Sequence, residues 1–539
     1  VYSIFLTQDS WDKFRLSKDE YALLKEIEKK SEEKKKKDEK DKKTKKDKTE
    51  AKDSLEVKIE FDGLEERKAR LTIHSSNLAD ATLSTDGETL YYITRFEKDL
   101  NLWSTNLRTK ETKMVIPLKA QSAKLEWDKK MKNLFLLADG KISTVDIKGK
   151  KLKPVSLKGE IELDLVAERE QMFDHVWKRT KTMFYISDYH GVDWDELGQS
   201  YKEKLSAVSN DIEFVEFLSE MLGELNVSHC GARYRPKNQS GDQTAALGIF
   251  FDYNYSGNGL KITEIIKDGP LDKANLNVNA GDLISEIDGV PITTDVDYTK
   301  YLNRKAGKFT SLKIDKADGT NELVTVKPIS LGEEGGLLYK RWVKQNEDDV
   351  KKLGNGKIGY VHVPGMGDGP YRNTYERVMG KYHDCDALIV DTRFNSGGDL
   401  VSDLAMFLTG ERYLDYGNEN RIFGYEPTFR WTKPSVAMVN EANYSDGHCF
   451  ACGYQDLGIG KMIGMPVPGT CSFAGWEMLQ NGYVLWGTVP VSVKNAKGQW
   501  LENVETVPEI VIKNMPGKID QGIDEQLNRA IEELLNNLD

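Results

Sequence analysis

The stretch Ala387-Leu-Ile-Val-Asp391-Thr-Arg393-Phe-Asn395-Ser-Gly397-Gly398-Asp399 decides how the C-terminal part of this chain is read. A short continuous apolar run closed by a Gly-Gly pair and followed by helical spacing is a buried strand that turns into a helix. Val436-Ala-Met-Val-Asn-Glu-Ala-Asn443-Tyr444-Ser445-Asp446-Gly447 is a second junction of the same kind, and Gly356-Lys-Ile-Gly-Tyr-Val-His-Val363 adds another buried strand. With helical stretches after Asp399 and after Ser445, residues 338–539 read as an α/β layer domain, the place to look for chemistry. Backbone N–H groups leaving the strand end at Gly397-Gly398 suit an oxyanion or a phosphate. A phosphate loop also needs a Lys followed by Ser or Thr, and Asp399-Leu-Val-Ser has no Lys, so the oxyanion reading is preferred. Ser445 stands at a helix entry, where a serine on position alone is an N-cap.

Upstream, residues 243–332 form short strands: Leu247-Gly-Ile-Phe-Phe251, Leu260-Lys-Ile-Thr-Glu-Ile-Ile266, Asp282-Leu-Ile-Ser-Glu-Ile287 and Ser311-Leu-Lys-Ile314. The ordered runs Asp268-Gly-Pro-Leu, Asn279-Ala-Gly281-Asp-Leu-Ile284 and Ile287-Asp-Gly289-Val-Pro-Ile292 resemble a PDZ domain of the circularly permuted kind attached to bacterial proteases. That resemblance makes Leu247-Gly248-Ile249 the peptide-binding loop, its N–H groups facing a terminal carboxylate and its strand edge accepting an extended chain. Residues 159–237 switch to three- and four-residue apolar spacing, with Leu163, Leu165, Val166, Phe173, Val176 and Trp177, then Phe214, Phe217, Leu218, Met221, Leu222 and Leu225. This predicts a compact helical cap that ends at Asn226-Val-Ser228-His229.

Residues 1–158 read as short strands interrupted by a Lys/Glu-rich insertion at about 29–54, a solvated helix or disordered loop, with a basic interaction tail as the sharper alternative. Ala81-Thr-Leu-Ser-Thr-Asp86 and Ala123-Lys-Leu-Glu-Trp-Asp128 are alike, and their aspartates lie 42 residues apart. That period is the signature of β-propeller blades, of which too few are present to close a ring of at least ~4. A β-sandwich is the alternative. Together with the start at Val1-Tyr-Ser-Ile-Phe-Leu, already strand-like, this leads us to expect a C-terminal fragment of a longer protein. The expected fold is therefore multidomain: partial β-propeller blades, a helical bundle cap, a PDZ-like β domain and an α/β catalytic domain.

Composition limits the function classes. At 539 residues, 39% hydrophobic and 30% charged, the chain exceeds a single core, and 76 basic against 87 acidic residues leave a net charge of −11, the wrong sign for gripping nucleic acid. No run approaches the ~18 apolar residues of a membrane span. The five scattered cysteines make no disulfide framework and are read as mostly reduced thiols, which leans toward the cytoplasm. A periplasmic location stays open, since an export signal would precede Val1. In His448-Cys449-Phe-Ala-Cys452, metal or redox chemistry is the sharper reading, and two cysteines packing a helix is the preferred one. No metal and no cofactor is expected.

The order of Ser228-His229, PDZ segment, Arg393-x-Asn395-x-Gly397-Gly398, Asn443-Tyr444-Ser445-Asp446-Gly447 and Glu502-Asn503-x-x-x-x-Pro508 resembles the tricorn protease family, serine peptidases related to the carboxy-terminal-processing peptidases. The resemblance implies Ser445 as nucleophile, His229 as general base, and Ser228 with Glu502 completing a tetrad that steadies the imidazolium. It implies an oxyanion hole from the N–H of Asp446 and one from Gly397-Gly398. Members commonly carry Gly-Val where this chain has Glu505-Thr506, which leaves Glu505 as an alternative to Glu502. A rival arrangement uses a lysine in a Phe-Gly-Lys-Gly turn; here Phe473-Ala474-Gly475-Trp476 has none, and Lys461 is a poor substitute. His175, His362 and His383 are read as structural. The expected partners are peptide substrates and a homo-oligomer, and the alternative function is an inactive peptide-binding scaffold of the same fold.

Overall fold

The computed structural model describes residues 1–40, 57–72, 74–96, 98–236 and 241–538, without the side chains of 32–40. It divides into two compact units, Val1–Glu162 and Leu163–Asp539. The first contains two four-stranded antiparallel meanders, Asn77–Leu83 through Thr112–Ala120 and Ala123–Trp127 through Lys151–Pro154. Asp86 and Asp128 occupy equivalent turns after the first strand of each sheet, where their carboxylates accept N–H groups of the turn, Glu88 in one case and Lys130 and Lys132 in the other. Leu102, Leu125, Leu134 and Leu136 join the two sheets in one core. No closed ring of sheets forms among the described residues. Of the Lys/Glu-rich insertion, the part up to Lys40 continues the helix Lys18–Lys40, and the rest lies outside the described residues.

In the second unit the helices Leu165–Met183, Trp194–Lys204 and Asp211–Gly223 begin at Asp164, Asp193 and Asn210, whose side chains accept the first free N–H groups. Phe173, Val176, Phe214, Leu218 and Leu222 are buried as their spacing predicts. Leu163, Leu165 and Val166 are exposed, because the first helix enters the core only from Met172 onward. After His229 the strand Gly231–Tyr234 pairs with Val484–Ser492, which pairs with Ser472–Met478. Leu479, Val484 and Trp486 fill the helical core from below, so residues more than two hundred positions apart fold as one body.

The PDZ-like segment is an antiparallel sheet with Ile249–Phe251 at one edge. The last segment builds a five-stranded parallel sheet in the order Ile358–His362, Ala387–Asp391, Ser435–Val439, Lys461–Gly464 and Ile510–Val511. Its side chains alternate strictly. Leu388, Val390, Ala437 and Val439 face one core, with helices Val401–Leu408 and Asp446–Asp456, whereas Ala387, Ile389, Val436 and Met438 face another, with Leu331–Leu353 and Glu525–Leu538. Burial on both faces is why these strands read as continuous apolar runs.

Candidate active site

The site lies where the neighbouring strands Ala387–Asp391 and Ser435–Val439 end. The first ends in an anchor: the buried Arg393 guanidinium pairs with Asp391 at 2.7 Å and with Asp524 at 2.8 Å. Burial alone would raise the Asp391 carboxyl, but the Arg393 charge outweighs it and holds the group below its ordinary value. His362 donates from Nε2 to the Arg393 carbonyl and accepts from the Tyr339 hydroxyl, the structural role expected of it.

From this anchor the turn runs into Gly397 and Gly398, at φ 91° and 151°. A Cβ on Gly397 would stand 2.5 Å from Ser445 Cβ, and one on Gly398 would stand 1.8 Å from the Met366 carbonyl oxygen, so only glycine allows this approach. The turn is stitched to the second junction by Tyr444 N–H on the Asn395 carbonyl and Leu400 N–H on the Asp446 carboxylate. Gly397 N–H donates to Asn395 Oδ1 at 2.8 Å, whereas Gly398 N–H has no acceptor among the described residues. Asp446 is the first residue of the helix Asp446–Asp456, so its N–H has no partner within that helix.

Ser445 precedes that helix at φ 56°, ψ −125°, and its side chain makes no capping bond. The N-cap reading therefore fails, since the hydroxyl makes no bond to the helix N–H groups that a cap would bind. A strained, non-glycine residue at a strand-to-helix turn is how an exposed nucleophile is commonly presented.

Ser228, His229 and Glu502 come together as the resemblance implies. Ser228 Oγ lies 2.7 Å from His229 Nδ1 and 3.1 Å from Glu502 Oε2, and Ser228 N–H donates to Glu502 Oε1 at 2.5 Å. Glu502 is buried and Glu505 is exposed, so geometry selects Glu502. Burial lowers the His229 pKa below its ordinary value, with the Glu502 charge opposing. The Tyr444 ring, next to Ser445 in sequence, stacks on the His229 imidazole at 4.6 Å between centroids.

Sequence reasoning missed two further groups, Ser472 and Thr470, and gave His448 no role at the site. Ser472 Oγ lies 3.1 Å from Ser228 Oγ and 3.4 Å from His229 Nδ1. Thr470 Oγ1 accepts the Ser445 N–H at 3.0 Å. His448, fully buried, accepts the N–H groups of Thr470 and Cys471 on Nδ1 and donates from Nε2 to Thr506; burial pushes it down to about 4, so it is neutral. Ser472 and Thr470 have no periodic or motif signal, because each acts by meeting a distant segment, and the motif reading of His448 did not point to this contact.

The cysteine reading is corrected in part. Cys449 and Cys471 form a disulfide, because folding lays the Cys471 segment against the helix that carries Cys449. The thiol count therefore no longer argues for a reducing compartment. Cys452 is a buried thiol packed with Cys471 and Leu501, as expected of a packing residue. Among the described residues no three His, Cys, Asp or Glu side chains are grouped to hold a metal ion, and no helix is long and apolar enough to cross a membrane. Lys461 pairs with Glu533 at 2.5 Å and is engaged on the last helix. His175 bonds Glu477 at 3.0 Å. In the PDZ-like loop, Leu247 is buried, Ile249 is paired with Ile265, and Gly248 N–H donates to Glu334 Oε1 at 3.1 Å.

Comparison with known proteins accounts for this arrangement. Family models match residues 165–223 (tricorn protease C1 domain), 247–330 (tricorn protease PDZ domain) and 357–512 (peptidase family S41). A tricorn protease homolog of Saccharolobus solfataricus is 28% identical over 69% of this chain and 35% of its own length, and the tricorn protease of Thermoplasma volcanium is 26% identical over 76% and 40%. The crystal structure of the tricorn protease superposes with a TM-score of 0.73 at 19% identity, covering 90% of this chain and 49% of that one, a likeness of fold. The catalytic segment is thus of the serine-type peptidase class. The chain is similar to tricorn proteases in these segments, and it spans less than half the length of the relatives it matches.

Proposed function

We propose that this chain hydrolyses peptide bonds of short or unfolded peptides through an acyl-enzyme on Ser445. The observation that carries the reading is the Glu502–Ser228–His229 relay, built beside a serine whose hydroxyl is not used as a cap. With Nδ1–H donating to Ser228 Oγ and the Ser228 hydroxyl donating to Glu502, Nε2 of His229 is left unprotonated as the base. It takes the Ser445 proton as Oγ attacks the carbonyl carbon, and returns it to the leaving amine when the C–N bond breaks. Water then repeats the cycle on the ester. The N–H groups of Asp446 and Gly398 would hold the tetrahedral oxygen; one such donor is worth on the order of 3 kcal/mol in the transition state. The Gly397 N–H, already on Asn395, is not the donor.

The division into an N-terminal part with propeller-like sheets (1–158), a helical cap (159–237), a PDZ domain (243–332) and a catalytic domain (338–539) belongs to the same proposal, as does peptide binding at Leu247-Gly248-Ile249. A fluorophosphonate probe should label the wild type at Ser445 and fail to label Ser445→Ala. Equal labelling of the two would overturn the assignment, and peptide binding with neither labelling nor turnover would favour an inactive scaffold.

A further inference from the structure

Both residues that carry the proposed reaction sit at positive φ, 58° for His229 and 56° for Ser445, where a side chain crowds its own backbone. Such a conformation persists only if neighbours hold it. Each is held in the same way, by its own N–H donating to a side-chain oxygen outside the tetrad: His229 to Tyr444 Oη at 2.9 Å and Ser445 to Thr470 Oγ1 at 3.0 Å. We propose that Tyr444 and Thr470 are positioning residues for the reaction, Tyr444 orienting the base and Thr470 fixing the backbone of the nucleophile. The inference rests on the peptidase reading above.

Tyr444 makes two contacts with the base, the hydrogen bond to its backbone and the stacked ring, while its own backbone belongs to the loop that presents Ser445. A shift of the nucleophile loop therefore moves the imidazole with it, across 215 residues of sequence. A residue that merely covered the histidine would need neither the hydroxyl nor a place next to Ser445. Thr470 is in turn fixed to the nucleophile's helix, because its N–H donates to Nδ1 of His448 on that helix. Since His448 is neutral, that acceptor is available across the working range of an imidazole base. Two side chains, one from each side of the nucleophile, thus hold the pair: Tyr444 ties the nucleophile loop to His229, and Thr470 ties Ser445 to its own helix.

The test uses the full chain in four variants: Thr470→Val, Thr470→Ser, Tyr444→Phe and Tyr444→Ala. Fluorophosphonate labelling rates are followed against pH, with kcat and KM on a peptide and the thermal unfolding midpoint. Thr470→Val should lower kcat and labelling by ~10²-fold with KM little changed, the loss typical of a displaced reacting group, and Thr470→Ser should restore most of it. Tyr444→Phe should lose less than Tyr444→Ala. Only the alanine removes the ring that shields the imidazole, so only there should the acid limb of labelling move up toward the ordinary histidine value. The groups facing His229 are the Glu502 carboxylate, the Ser228 and Ser472 hydroxyls and the Tyr444 phenol, and the first three are unchanged in these variants. If Thr470→Val and Tyr444→Phe match wild type in rate, or if Thr470→Ser fails as badly as Thr470→Val, the positioning role is overturned. Thr470→Val and Tyr444→Phe nearly preserve volume and each removes a single hydroxyl, so they decide the matter even if Tyr444→Ala does not fold. A wild type that is not labelled at Ser445 would sink the peptidase reading instead, a separate result.

Discussion

Two glycine loops in this chain offer backbone N–H groups to an oxygen anion, and they differ in whether the offer is open. Beside Ser445, Gly397 spends its N–H on Asn395 and Gly398 keeps its own without an acceptor. In the PDZ-like domain, Gly248 donates to the Glu334 carboxylate, one turn into the helix Leu331–Leu353 of the catalytic segment. On the proposed reading the loop at Gly398 is preorganised for a charge that appears only during reaction, which is where fixed dipoles act most strongly. The PDZ-like loop already holds a carboxylate, so a peptide terminus proposed to bind there would have to displace one anion with another. A glycine motif thus specifies the direction of a donor, and the rest of the fold decides its availability.

The largest effect should follow from breaking the relay on the open side. Glu502→Gln keeps shape but removes the charge behind Ser228 and His229, and should cost ~10²–10⁴-fold in kcat/KM. The sign of the pH effect is fixed. His229 works as a base only when neutral, so activity is present above its pKa and lost as pH falls through it. Burial holds that pKa low and the Glu502 charge raises it, so the variant's acid limb should move to still lower pH. A pH–rate profile checks both parts, with Glu505→Gln, altered at an exposed position, as the control that should change neither. An acid limb that moves upward would sink the account of Glu502.

How much of this was legible depended on range. The strand Ala387–Asp391 matches its apolar run because both faces are buried within a few residues of sequence context. Ser228, His229, Ser445 and Glu502 were legible by resemblance, and the structure brings Ser228, His229 and Glu502 into hydrogen bonds and sets Tyr444, next to Ser445, against His229. Thr470 and Ser472 were not, since a lone hydroxyl on a turn or strand has no period and its partners are fixed by how Ser472–Met478 pairs with Val484–Ser492. The same pairing delivers Cys471 to Cys449, which spacing could not foretell. Leu163, Leu165 and Val166 erred the other way: apolar spacing gives a helix its face, but not how far its partner core extends.

An intermediate effect should follow from the disulfide. It joins the nucleophile's helix to a segment whose neighbours are Thr470, on the Ser445 N–H, and Ser472, on the relay. Closing a loop of 22 residues in the unfolded chain is worth about 3 kcal/mol by chain entropy. Cys449→Ser with Cys471→Ser should therefore lower unfolding free energy by about that much, and kcat by less than Glu502→Gln does. Denaturant unfolding and peptide turnover check the two. An unchanged midpoint would mean that the bridge does not form in solution.

The smallest effect should appear on the occupied side, and it tests whether that loop is a carboxylate site at all. Glu334 is partly exposed, so its bond to Gly248 is partly screened, and releasing it should be worth about 1 kcal/mol, roughly fivefold in affinity. Glu334→Ala should therefore bind a peptide with a free C-terminal carboxylate several-fold more tightly than wild type, measured by fluorescence anisotropy. The same peptide amidated at its C-terminus should bind both proteins equally weakly, because it brings no anion to take the vacated N–H. Helix stability is a minor complication, since Ser330 and Glu333 supply the capping box of Leu331–Leu353 and remain in place. If the variant gains affinity for both peptides alike, Glu334 blocks the groove by bulk rather than by charge, and the two glycine loops cease to be comparable. If it gains none, the Leu247-Gly248-Ile249 loop serves to dock the helix, and the anion site of this chain is at Gly398 alone.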